Sequence, residues 1–143
     1  MQPDSEILAS NVTVRAMRVP DSKRLNTLPR HFGRQLMMGE ALVYQSLQSV
    51  CKTYPGGLWD FFELTNGGFY MRPHMEGPLH IQCEVNGFSG QMSCDAAGIM
   101  ACLMAFNVLA WHTREAHFAE MFYQLRDFAA QHAEAASIFA AVD

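Results

Sequence analysis

Residues 58–72 read Leu58-Trp59-Asp60-Phe61-Phe62-Glu63-Leu64-Thr65-Asn66-Gly67-Gly68-Phe69-Tyr70-Met71-Arg72, and this stretch decides the fold class. Two aromatic-rich runs flank Asn-Gly, the strongest short-range hairpin signal, because both central positions of the tightest turns need φ > 0. A two-residue Asn66-Gly67 loop sets Leu64 opposite Phe69 and Phe62 opposite Met71. On the other face Glu63 meets Tyr70 and Phe61 meets Arg72. Beyond Pro73 and Gly77-Pro78, the residues Leu79, Ile81, Cys83 and Val85 alternate with His80, Gln82 and Glu84. That alternation predicts a third strand with one face buried and the other open to solvent or a partner.

Helical patterns surround this small sheet. Upstream, Leu36, Val43, Tyr44, Leu47, Val50 and Cys51 form one stripe of a helix over 33–52, which Tyr54-Pro55-Gly56-Gly57 stops. A shorter helix is expected after Pro20-Asp21-Ser22, ending at Pro29. Residues 1–14 carry no period and are expected to form a loose arm, leaving 15–143 as one domain. Downstream, Gly87 and Gly90 turn the chain, and Ser93 caps a helix to about His112 that is apolar on nearly every face. Two more helices are expected over 114–131 and 134–142. The fold class is α+β: a small antiparallel sheet, hairpin plus third strand, packed against several helices.

Composition narrows the functions. The chain has 143 residues, 10 Lys+Arg, 14 Asp+Glu and a net charge of −4. A duplex-DNA binder is usually strongly basic. A DNA mimic needs dense acidic charge, and here no two acidic residues are adjacent. Neither strong nucleic-acid binding nor mimicry is expected. Seven of the ten basic residues lie in 1–52, among them Arg15, Arg18, Lys23, Arg24, Arg30 and Arg34. A nucleic-acid or protein binding module using that segment is the competing reading.

The chain opens without a secretory pattern, and Cys51, Cys83, Cys94 and Cys102 form no CxxC pair. Reduced thiols in the cytoplasm are the expectation. Ala96 to Thr113 is uncharged, but it has fewer apolar residues than the roughly 20 a bilayer crossing needs. A core helix is expected there, and no membrane partner.

Reactive chemistry finds little support. His112 and His117 are five apart, and His80 and Cys83 point to opposite sides of a strand, so no metal site is assigned. Gly87-Phe88-Ser89-Gly90-Gln91 approaches a nucleophile elbow, but its second glycine comes one residue early. Cys94 near a helix N-terminus satisfies one condition for a depressed thiol pKa. The glycine pairs 56–57 and 67–68 fit no phosphate-binding loop. No catalytic residue, metal or cofactor is assigned. The candidate partner-binding residues are those of the aromatic sheet face and its turn: Trp59, Phe61, Glu63, Asn66, Tyr70 and Arg72. A covering helix or arm would bury those rings instead.

Tyr54-Pro55-Gly56-Gly57-Leu58-Trp59 and Phe61 through Pro73 together resemble the signature of the ArdB/KlcA antirestriction proteins. The resemblance extends upstream through Arg24-Leu25-Asn26-Thr27-Leu28-Pro29 and Phe32-Gly33. Downstream it takes in Phe88-Ser89-Gly90, Asp95-Ala96-Ala97-Gly98-Ile99, Leu125-Arg126-Asp127-Phe128 and the ending Ile138 to Asp143. It covers residues 15–143, departing at Cys94 and Ala133, where the family often has Ala and Pro. The resemblance implies a compact α+β fold from plasmids and other mobile elements. It also implies a non-enzymatic inhibitor of host type I restriction–modification enzymes, acting without DNA mimicry and without direct DNA binding.

Overall fold

The computed structural model describes residues 13–143, so the expected arm over 1–14 falls almost entirely outside the described residues. The chain runs β1 (Ala16–Arg18), α1 (Arg24–Phe32), α2 (Leu36–Val50), β2 (Trp59–Leu64), β3 (Phe69–Pro73), β4 (Leu79–Cys83) and β5 (Phe88–Met92). Three helices follow: α3 (Cys94–Thr113), α4 (Ala116–Ala129) and α5 (Ala135–Val142). Short 3-10 turns at Asp21–Lys23 and Gly33–Gln35 lead into α1 and α2. The α+β class stands.

The strands divide into two antiparallel sheets, β1-β2-β3 and β4-β5. The third strand beside the hairpin is β1, whereas β4 pairs with β5 across Ile81 and Gly90. Gly90 therefore lies inside a strand, where the sequence suggested only a turn.

The hairpin register also differs from the expectation by one residue. Phe61 faces Met71, Phe62 faces Tyr70 and Glu63 faces Phe69. Gly67 N–H donates to the Leu64 carbonyl and Leu64 N–H to the Gly68 carbonyl, closing a three-residue loop. Gly67 has φ +91°. This is a type I turn followed by a left-handed bulge residue, the next commonest hairpin connection after the two-residue one. A one-residue slip sends every side chain of β3 to the opposite face.

Pro29 sits inside α1 and does not end it. Both Pro29 and Leu25, whose carbonyl loses its helical partner, are exposed, so solvent takes the place of the missing bond. The helix ends at Gly33, with φ +55°. Gly39 in α2 is a close-approach glycine: a Cβ there would lie 2.4 Å from the Phe32 ring.

Helix α3 is long and apolar enough to cross a membrane, but most of it is buried, and it forms the centre of the fold. It packs on α2, α4, α5 and β3. Ser93 caps it as expected, its Oγ accepting from Ala96 N–H at 3.0 Å. At Gly98 the helix touches the hairpin so closely that a Cβ would fall 2.5 Å from the Met71 carbonyl oxygen. One turn on, Cys102 Sγ accepts from Met71 N–H at 3.4 Å and donates to the Met71 carbonyl at 3.6 Å. The outer edge of β3 is thus covered by a helix, one way proteins keep strand edges from pairing with other chains.

Candidate functional site

The expected aromatic face does not reach solvent. Trp59, Phe61 and Tyr70 are 2, 6 and 2% exposed. The physical reason is that helices cover both faces of the hairpin. On one face Trp59 packs on Tyr44 of α2 and donates Nε1–H to Tyr54 Oη at 2.6 Å. Phe61 lies under the Arg24 guanidinium, and His31 of α1 stacks on Phe69 at 4.5 Å. On the other face Phe62 stacks on Tyr70 at 4.9 Å, and Tyr70 on Phe128 of α4 at 5.6 Å. The one-residue register difference places Tyr70 and Arg72 on this second face, away from Trp59, Phe61 and Glu63. The six candidates therefore never share a surface.

Three of them keep solvent contact, at separate places. Asn66 at the hairpin tip is tied to α4: its Nδ2 donates to the Gln124 carbonyl, and Gln124 Nε2 donates to the Asn66 carbonyl. Glu63 bonds Arg30 and His31. Burial pushes its pKa up, but those two partners outweigh that, and the carboxyl lies below its ordinary value. Arg72 extends over the Phe62 ring at 4.6 Å and donates to Asp95 Oδ1 at 2.9 Å.

Around Arg72 opens a cleft of about 660 Å³ at the junction of β1, β2, the 73–78 segment and the start of α3. No local sequence pattern announced it, because Arg18, Asp60, Arg72 and Asp95 come from four different elements. Asp60, 4% exposed, accepts from Arg18 at 2.8 Å and meets His74 Nδ1 at 2.9 Å. Burial raises its pKa, yet the hydrogen bonds and charges of Arg18 and His74 prevail and hold it below the usual carboxylate value. Asp95 accepts from Tyr70 Oη–H at 2.7 Å and meets His132 Nε2 at 2.9 Å. The Glu134 backbone N–H donates to His132 Nδ1. That fixes the neutral tautomer with its proton on Nε2, facing Asp95.

This chemistry suits recognition more than reaction. A carboxylate held below its ordinary pKa is a weak base. Ser93 Oγ donates to Glu134 and accepts from the α3 backbone, with no histidine on it. The Cys94 thiol is raised, not depressed: burial outweighs the nearby Arg72 charge, and its S–H points at the Gly77 carbonyl. The one condition for a depressed pKa that the sequence offered, a place near a helix N-terminus, is outweighed here by burial. His80 and Cys83 take opposite faces of β4, the first exposed and the second buried. Among the described residues no three His, Cys, Asp or Glu side chains group as metal ligands would.

Residues 52–143 match the model of the family described as antirestriction protein. Two Escherichia coli proteins named antirestriction protein KlcA are each 44% identical over 135 residues. The alignments cover 90% of this chain and 92% of the first, and 91% and 95% for the second. A solved structure superposes with a TM-score of 0.85 at 44% identity, covering 91% of this chain and 95% of that one. It comes from work on KlcA and ArdB, described as a novel fold with antirestriction activity against type I DNA restriction systems in vivo but not in vitro. Near-complete coverage at this identity, over a shared fold, leaves one assignment: the chain belongs to the antirestriction protein family.

Proposed function

We propose that this protein protects incoming DNA in the cytoplasm by inhibiting host type I restriction–modification enzymes, and that it does so without catalysis. The observation that carries this reading is the 44% identity to KlcA across nine-tenths of the chain, with a TM-score of 0.85 to a KlcA/ArdB structure. The charge supports inhibition by contact with the restriction machinery over imitation of DNA. A net of −4 is far from a phosphate array, and Asp60, Glu63, Asp95 and Glu134 are engaged by partners within the fold. The accessible edge of the expected surface, Arg72 with the neighbouring cleft, is the candidate contact, since Trp59, Phe61 and Tyr70 are core.

The test is plating efficiency of unmodified phage on cells with an active type I system, with and without the protein. Plating should rise by orders of magnitude when the protein is present, while modified phage should be unaffected. No rise with soluble protein verified would overturn the reading.

A further inference from the structure

Among the described residues strand β1 is the outermost strand of the hairpin sheet, and Gln131 takes up the N–H and C=O of Val14 just before it. Arg15 carbonyl accepts from Thr65 N–H, and Val19 N–H donates to the Phe61 carbonyl. In an antiparallel ladder the N–H and C=O of one residue point the same way, and successive residues alternate. Arg15, Met17 and Val19 therefore face β2, and Ala16 and Arg18 turn their N–H and C=O outward. Among the described residues no protein group bonds those four. Most edge strands hide such groups, and on the far side of this sheet α3 does so for β3.

A groove of about 540 Å³ runs between β1 and α1. Met17, 53% exposed, and Pro20 give it an apolar wall. Arg18, Lys23 and Arg30 line it against a single carboxylate, Glu63. Arg30 is committed to Glu63 and Arg18 to Asp60, while Lys23 has no ion-pair partner among the described residues. Among the described residues the groove thus offers one cation without an ion-pair partner, Lys23, on a chain that is acidic as a whole.

We propose that the β1 edge and this groove bind an extended acidic segment of a partner protein, which adds as a strand beside β1. This rests on the reading above that the protein works by protein contact. The backbone supplies the affinity and the groove the preference: Ala16 and Arg18 present two donors and two acceptors, and a carboxylate on the added strand meets Lys23. A nucleic acid fits less well. Phosphates accept hydrogen bonds but give none to the two outward carbonyls.

The test is an NMR titration of the full chain with a synthetic octapeptide of alternating glutamate and valine. A lysine–valine octapeptide and a short DNA duplex serve as comparisons. The expected result is amide shifts and slowed exchange at Ala16 and Arg18 with the acidic peptide alone, weakening as salt rises. Ala16→Pro removes one outward N–H without touching the β1–β2 bonds and should abolish binding. Lys23→Glu should weaken it about fivefold, the size of one exposed charge pair. No change at β1 with millimolar acidic peptide would overturn the proposal. So would a stronger response to DNA, or changes that track protein concentration without peptide, which would put a second copy on the edge. Binding is read here without the plating assay. A wild-type protein that binds the peptide but fails to protect would overturn the function alone. One that protects equally well as Ala16→Pro and Lys23→Glu would overturn the edge alone.

Discussion

The hairpin sheet and the β4–β5 ribbon are both antiparallel, yet their faces meet different things. Along β2 five of six residues are buried, Trp59 to Phe62 and Leu64, because α1 and α2 cover one face and α4 packs on the other, with α3 along the β3 edge. Along β4 burial alternates strictly, with Leu79, Ile81 and Cys83 inside and His80 and Gln82 outside. The difference is written in the residues: a nearly continuous apolar run belongs to a strand buried on both sides, and alternation to one buried on a single side. Reading Trp59, Phe61 and Tyr70 as an exposed face applied the second pattern to a strand that carries the first.

Substitution can test that contrast directly. Trp59→Ala and Phe62→Ala remove rings from opposite faces of β2, and each should cost about 3–5 kcal/mol in urea unfolding. Gln82→Ala on β4 should stay within about 0.5 kcal/mol. A small loss for Phe62→Ala would mean that the second face is open after all.

The seam between α3 and β3 gives the next effect. Gly98→Ala should favour an isolated helix by roughly 1 kcal/mol. Here its Cβ meets the Met71 carbonyl and the Arg72 backbone, so a net loss of about 1–3 kcal/mol is expected. A raised Tm would show that the seam can yield.

The smallest effect separates the sheets by acid. Asp60 and Glu63 both have pKa values lowered in the folded state. Their contribution is fully present above the ordinary carboxylate range and is lost as pH falls below about 4 through the folded-state values. Asp60→Asn with Glu63→Gln should flatten the acid limb of stability against pH. An unchanged limb would place the acid sensitivity elsewhere.

How far the sequence speaks depends on how local each cause is. Ser93 as cap, an α3 that is apolar on nearly every face and the Asn66-Gly67 reversal rest on neighbouring residues and were legible. The register was not. Asn-Gly serves both the two- and the three-residue loop, and here Asn66 is bonded to Gln124, 58 positions away. Strand β1 has only three residues, too few to show a period. Strand β5 is masked by Gly87 and Gly90. The cleft joins Arg18, Asp60, Arg72 and Asp95, whose meeting depends on the whole fold. Likewise, the basic bias of residues 1–52 was plain, but only the ladder shows that part of it borders the outermost strand among the described residues.

Cys102, whose sulfur bridges α3 to the Met71 backbone, gives the protein a built-in clock. Burial pushes its thiol up to about 12, so at neutral pH almost none of it is thiolate. Cys51, Cys83 and Cys94 are buried as well. An alkylating reagent consumes thiolate, so labelling of Cys102 must wait until α3 lifts from the hairpin. The rate at which it acquires label then times the opening of the centre of the fold, with no residue introduced for the purpose.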